Sequence, residues 1–397
     1  MFKHKYTIRA LWLALALLPL PAFAADACPG ADAAAHAARE AGLRWKKMLD
    51  AREDDSDSDL SASDRQAIGA YKQALGAALD ARLACSGEKT DPATLQRTLA
   101  AGLGWGKPSQ FLRIDTQRRA TPRPLMLVRL DFGIPCGDDN LLAGYAWERQ
   151  RGWQRVLDWQ SGDYKDISGA YGDGFSFAAL PGGQVVVAYG TPWCTSNWSG
   201  FHAAVIAPAD GAAAQRVLFQ SETYYFRGDG VGVRLKEIPG GFELRARVSS
   251  LDPAVLVRTG IYRYRVHGDT VQRVQPAAVH GRDFVDEWLN VDDALARAWS
   301  DPAAADALVQ ARQGLREQCD ALFRFGPLRA CAGGKNRYQA EIELDDTSAS
   351  EQPRDWTPHY WYALFRQERH GFTMLGLGKT PDAACTGPDL LAGRRDH

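Results

Sequence analysis

The chain has 397 residues, 47 Lys+Arg against 48 Asp+Glu, and a formal net charge of −1. A chain so nearly neutral has no general pull on phosphate, which argues against nucleic acid as its natural partner. Its length suffices for one large domain or two of medium size.

Residues 1–24 read as an export signal. Lys3, Lys5 and Arg9 make a basic start, residues 10–20 an apolar run, and Ala22-Phe23-Ala24 an A-x-A cleavage site. The apolar run falls well short of the ~20 residues a spanning helix needs. A lipid anchor at Cys28 is the competing reading, but Asp26 puts an acid into the stretch that such recognition needs apolar. No later segment is apolar enough to span a bilayer. The expected location is outside the cytoplasm, periplasmic or secreted, with no membrane span after cleavage.

Seven cysteines follow the leader: Cys28, Cys85, Cys136, Cys194, Cys319, Cys331 and Cys385. None stands at a C-x-x-C or C-x-x-H spacing, so no zinc or other cofactor is expected, and export makes disulfides the default. The odd count leaves one thiol free or shared between chains. Cys319 is the candidate, because it continues an apolar helical stripe through Leu308, Ala311, Leu315 and Leu322. The repeats and segment boundaries then suggest the pairs Cys28–Cys85, Cys136–Cys194 and Cys331–Cys385.

Residues 25–108 form a helical N-terminal segment. Ala35, Ala38, Ala41, Trp45, Met48 and Leu49 recur at helical spacing, as do Ile68, Tyr71, Leu75, Ala78, Leu79 and Leu83. The acidic run 53–59 between them mimics a calcium loop in Asp55, Asp57 and Asp59. Leu60 and Gln66 stand where that loop needs Gly and Glu, so the run reads as a solvated linker. A hairpin of two helices, stapled at its open end by Cys28–Cys85, is expected.

Over residues 109–276 the period becomes that of strands, and the pattern repeats. Gln-Arg-Val occurs at Gln154-Arg155-Val156, Gln215-Arg216-Val217 and Gln272-Arg273-Val274, 61 and 57 residues apart, each after a glycine-containing turn. Pro181-Gly182-Gly183 recurs as Pro239-Gly240-Gly241, 58 residues later. Two markers keeping one period define a repeat array. Strands are expected at 111–114, 125–130, 142–147 and 153–159 in the first unit. The second unit has them at 175–180, 184–189, 201–206 and 215–219, and the third at 233–238, 242–248, 261–266 and 271–274.

Residues 277–335 read as a helical insertion, whose best helix opens at Asp301-Pro302 and runs to about residue 323. Residues 336–397 form a C-terminal β segment, a partial fourth repeat with strands at 338–344, 360–365 and 372–377. The expected fold is mainly β with helical appendages: three repeated four-stranded antiparallel units, an N-terminal helical hairpin and a helical insertion. Four-stranded meanders in series resemble β-propeller blades, of which a propeller typically has at least four.

In such a meander the first and third connections lie at one end. The second connection and the crossover to the next unit lie at the other. The Pro-Gly-Gly turns and the turns before Gln-Arg-Val fall at the plain end. The opposite rim collects the longer loops 133–140, 190–200 and 249–259 and the crossovers 161–174 and 221–232, and functional residues favour loops on a rigid scaffold. This rim carries Asp138, Asp139 and Asn140, Tyr164 and Asp166, Trp193 and Trp198, and Tyr224, Tyr225, Arg227 and Asp229. Aromatics beside carboxylates and amides suit a sugar ring. The structural reading of the same residues is that the tryptophans pack between units around Cys194 and that Asp138-Asp139-Asn140 form a turn.

Enzyme signatures are absent: there is no G-x-S-x-G elbow, no H-E-x-x-H, and no histidine pair at ligand spacing. Residues 280–288 hold the densest ionisable content and offer His280, Asp283 and Glu287 for acid–base work. Their structural reading is the polar start of the insertion.

The block Gly190-Thr191-Pro192-Trp193-Cys194-Thr195-Ser196, followed by Trp198-Ser199-Gly200-Phe201, resembles uncharacterised exported bacterial proteins with no assigned activity. The resemblance implies export and no residue roles. The expected function is that of an exported, soluble, non-enzymatic binding or interaction protein, holding a small ligand, a glycan or an envelope protein at the rim. A glycan-acting hydrolase or lyase using rim carboxylates is the alternative. An envelope assembly component docking through the N-terminal helices is the second.

Overall fold

The computed structural model describes residues 28–52, 60–104, 112–119, 123–135, 137–160, 175–190, 197–226, 228, 232–275, 278, 280–317, 322–345, 358–369 and 371–392. Residues 1–27, the acidic run 53–59, Cys136, Cys194, Cys319, Tyr164, Asp166, Trp193, Arg227 and Asp229 lie outside the described residues.

Three helices open the described chain: α1 (Pro29–Asp50), α2 (Ala62–Ala84) and α3 (Pro92–Leu103). Ser61 and Asp64 cap the start of α2 reciprocally, each side chain accepting from the other's backbone N–H at 3.2 and 3.0 Å. Asp91 accepts from the Thr94 N–H at 2.9 Å, and Pro92 occupies a position where a missing N–H costs nothing. The third helix is one more than the expected hairpin, and Asp91-Pro92 is the signal that marks it. The Cys28–Cys85 disulfide joins the start of α1 to the end of α2.

The strands make four antiparallel meanders, each in sequence order. The first holds β1 (Leu112–Arg119), β2 (Leu125–Ile134), β3 (Gly137–Glu148) and β4 (Gly152–Gln160). The second holds β5 (Phe175–Ala179), β6 (Val185–Gly190), β7 (Trp198–Ala207) and β8 (Arg216–Phe226). The third holds β9 (Arg234–Ile238), β10 (Gly241–Ser249), β11 (Val257–His267) and β12 (Thr270–Val274). Glycines at left-handed φ, Gly152, Gly211 and Gly268, make the three turns that precede Gln-Arg-Val.

Alternation along the strands decides which layer covers which face. Met126, Val128, Leu130 and Phe132 of β2 join a core with α1–α3, while Leu125 and Leu127 join a core with the second sheet. Val185 and Val187 of β6 face the first sheet, and Val186 and Ala188 face the third. Strands buried on both faces are apolar at nearly every position. In β10 the pattern changes: Phe242, Leu244, Ala246 and Val248 face the second sheet, and Glu243, Arg245 and Arg247 alternate with them.

Helices α4 (Gly281–Asn290), α5 (Asp293–Ala298) and α6 (Ala305–Glu317) then lead to a fourth sheet, β13 (Leu322–Ala330), β14 (Arg337–Asp345), β15 (His359–Glu368) and β16 (Gly371–Gly378). These helices and this sheet share one apolar core around Phe284, Trp288, Ile342 and Phe365. The fourth unit is therefore complete, which corrects the expectation of a partial repeat. The helix expected from Asp301 to about 323 is also shorter. Asp301 caps a turn through the Ala303 N–H at 2.9 Å, the helix begins at Ala305, and Leu322 and Phe323 pair with Asp345 and Leu344 in the sheet. An apolar stripe at helical spacing runs on into a strand there, and pairing with β14 overrides it.

Cys331–Cys385 ties the end of β13 to the C-terminal segment. Among the described residues no apolar core joins the fourth sheet to the first, while Arg119 of β1 pairs with Glu237 of β9 at 2.8 Å and links the first sheet to the third. No helix among them is long and apolar enough to cross a membrane.

Candidate ligand cavity between the second and third sheets

Asp138, Asp139 and Asn140, expected together on one loop, do not share one face. The connection expected over 133–140 is much shorter, because β2 continues to Ile134 and β3 begins at Gly137. Asp138, Asp139 and Asn140 are consequently strand residues, and neighbours in a strand point to opposite faces. Asp139 is buried against α2, 2.9 Å from Lys72 Nζ. On the other face Asp138 pairs with Arg113, and Asn140 donates to Asp131 Oδ1 at 2.5 Å. Burial pushes the Asp138 carboxyl up, partly offset by Arg113. Asp131, overlooked in the sequence, also holds Arg129.

Residues 221–226 belong to β8 and not to a crossover. Tyr224 is exposed there, Tyr225 is buried, and Trp198 packs edge-on against Phe226 at 5.4 Å. His280, at the N-cap of α4, and Glu287, within the helix, reach different places. His280 lines a cavity of about 260 Å³ with Tyr338, Phe365 and Leu390. Glu287 reaches another.

That second cavity, of about 360 Å³, lies where β8, β11, β12 and α4 meet, beside the β10–β11 connection. Period-2 alternation puts Arg258, Tyr262 and Tyr264 on one face of β11, and the register sets Arg273 of β12 opposite Tyr264. Ser221 and Thr223 project from β8 at the same spacing, hydrogen-bonded to Tyr264 and Tyr262. Glu287 and Asn290, three residues apart, share one face of α4 and close the cavity.

Its electrostatics are a buried, balanced network. Arg258 donates from Nε to Asp286 at 2.8 Å and from Nη2 to Glu287 at 2.5 Å. Arg273 donates to the other oxygen of Glu287, and its guanidinium lies 4.7 Å from the Tyr262 ring and 5.2 Å from that of Trp299. Asp286 also accepts from the Ser250 hydroxyl at 2.7 Å and the Leu251 N–H at 2.8 Å. Burial pushes the Glu287 carboxyl up, but the two arginines outweigh it and hold it below the usual range. Burial pushes Tyr262 up to about 12, with Glu287 adding to the effect.

Two donors are left over. Among the described residues Arg258 Nη1 and Arg273 Nε are buried without a hydrogen-bond partner, and the Arg258 side chain is 5% exposed. An unmet buried donor costs about 1–3 kcal/mol, more when charged. Two arginines are matched there by two carboxylates, so the lining is polar without net charge. Glu287, ionised and bonded through both oxygens, has no proton to give. Among the described residues no three His, Cys, Asp or Glu side chains gather as metal ligands.

Sequence reasoning missed Arg258, Tyr262 and Thr223. The available signal was the third Gln-Arg-Val, whose arginine enters this network. Arg155 of the first triplet instead binds Asp80 and the Tyr145 hydroxyl, and Arg216 of the second reaches only Asp269 on the surface.

Fold and cavity together define a mainly β protein of serial four-stranded sheets, with an aromatic-walled polar cavity between two of them. Compared with protein-family models and with curated proteins, the chain matches none.

Proposed function

We propose that this chain is an exported, non-enzymatic binding protein, and that the cavity between its second and third sheets takes a small, uncharged, hydroxyl-rich ligand such as a glycan fragment. The observation that carries the reading is the lining of the cavity, where Tyr262, Tyr264, Ser221, Thr223 and Asn290 stand beside the charge-balanced Arg258–Glu287–Arg273 network. Sugar hydroxyls and ring oxygens supply acceptors, and their apolar faces lie against aromatic rings. The leader-like residues 1–24 and the two disulfides are compatible with export.

Catalysis by rim carboxylates draws no support from Asp138 and Asp139, which point to opposite faces of β3, nor from the doubly bonded Glu287. The test is calorimetric titration of residues 25–397 with mono- and disaccharides, alongside Thr223→Val and Tyr262→Phe, which keep the ion network. Binding weakened about tenfold in both variants supports the reading. Binding that both leave untouched, or turnover of the sugar, overturns it.

A further inference from the structure

We propose that the outer face of the third sheet is a docking surface for an acidic polysaccharide, a linear glycan carrying a carboxylate on successive residues. It rests on an observation separate from the cavity. One face of β9–β12 packs on the second sheet, and the register fixes what stands on the other. Arg234 lies directly opposite Arg245, and Lys236, Glu243 and Arg263 form the next row across three strands. Arg265 follows on β11.

Glu243 is the one acid among these, and it is 3% exposed. It accepts from Arg245 Nε at 2.6 Å and from Arg263, and so is fully committed. Arg234, Lys236 and Arg265 are exposed, and among the described residues they enter no ion pair. The chain's net charge of −1 conceals this patch, because the acids lie elsewhere.

Like charges placed directly across a strand pair cost stability, so folding alone does not select Arg234 opposite Arg245. Charges that merely keep a sheet edge from pairing belong on edge strands. That accounts for Arg234 and Lys236 on β9, but Arg245, Arg263 and Arg265 stand on the two inner strands.

The pattern specifies the partner's chemistry. Guanidinium forks match carboxylates in a bidentate geometry, and all but one of the cations are arginines. Positions of about 4.8 Å across strands and about 6.8 Å along them suit charges repeating on an extended polymer. Among the described residues the large exposed apolar side chains are Leu43, Val217, Tyr224, Leu256, Tyr360 and Leu390, none of them on this face. Without an apolar anchor the face has nothing to insert into a bilayer. Export, as proposed above, removes nucleic acid.

The test is binding of a uronic-acid oligosaccharide to residues 25–397 at low and moderate salt, measured by calorimetry. Three proteins are compared: the natural chain, Arg234→Glu/Arg265→Glu, which leaves the Glu243 partners in place, and Arg149→Glu/Lys335→Glu as a control of equal charge change on exposed residues elsewhere. The expected result is salt-sensitive binding, lost at least tenfold in the first variant and kept in the control, with the first variant melting no lower than the natural chain. No binding by the natural chain, an equal loss in the control, or tighter binding to anionic vesicles or duplex DNA overturns the proposal.

Discussion

Lys72 of α2 and Asp139 of β3 meet 2.9 Å apart beneath the first sheet, with side chains 9% and 3% exposed. The pair fixes the helical layer on the sheet at a point where its neighbours are apolar. Removing one member strands the other charge. Lys72→Met should cost about 3–5 kcal/mol, whereas Lys72→Met/Asp139→Leu should recover most of it, as urea denaturation of both variants will show.

Glu287 gives the protein an acid-sensitive joint. Burial pushes its carboxyl up, yet Arg258 and Arg273 prevail and its folded value is lowered. The unfolded chain therefore binds this proton more readily than the folded one. The stability it contributes is fully present above the ordinary glutamate value of about 4.3 and is lost as pH falls through the folded value. Glu287→Gln should cost about 3–5 kcal/mol at pH 7, since it leaves two buried guanidiniums with Asp286 alone. The gap between variant and natural chain should narrow on acidification, read from urea midpoints between pH 3 and 8.

The two disulfides among the described residues close spans of 57 and 54 residues. Loop-closure entropy assigns each about 4 kcal/mol, of which proteins commonly realise about 2–4. Cys28→Ser/Cys85→Ser should lower stability by that amount and loosen α1 from α2, seen as faster amide exchange confined to residues 28–104. Cys331→Ser/Cys385→Ser should do the same for β13 and the C-terminal segment.

Gly240 and Gly241 should respond differently to alanine. Gly240 has a φ of +75°, and a side chain there meets open space, so the cost is about 1 kcal/mol of backbone strain. A Cβ on Gly241 would stand 1.9 Å from the Tyr264 carbonyl oxygen, so β10 and β11 must part. Gly241→Ala should lower the melting temperature several times more than Gly240→Ala.

The same glycines show how far the sequence could be read. Pro181-Gly182-Gly183 and Pro239-Gly240-Gly241 mark one period, yet the left-handed residue is the second glycine in one and the first in the other. The repeat was legible because each unit needs a strand pattern and a turn. The turn's conformation was not, because strand length around it differs. β13 hid behind a helical stripe that ends in a strand, and α3 behind its brevity. The cavity was the least legible part. Arg258 finds Glu287 on a helix 29 residues away, and Tyr262 finds Thr223 on another sheet; neither spacing is a motif.

The order of the layers bears on how the protein comes apart. Among the described residues the second sheet alone shares an apolar core with a sheet on either side. Each layer is held chiefly by its neighbours, as in repeat proteins, where unfolding proceeds unit by unit instead of all at once. The helical cap α1–α3 and the α4–α6 block can therefore melt separately without passing the disturbance to one another. Apart from the Arg119–Glu237 ion pair, coupling between the first and third sheets has to travel through β6 and β7, making the middle of the molecule its slowest-opening part.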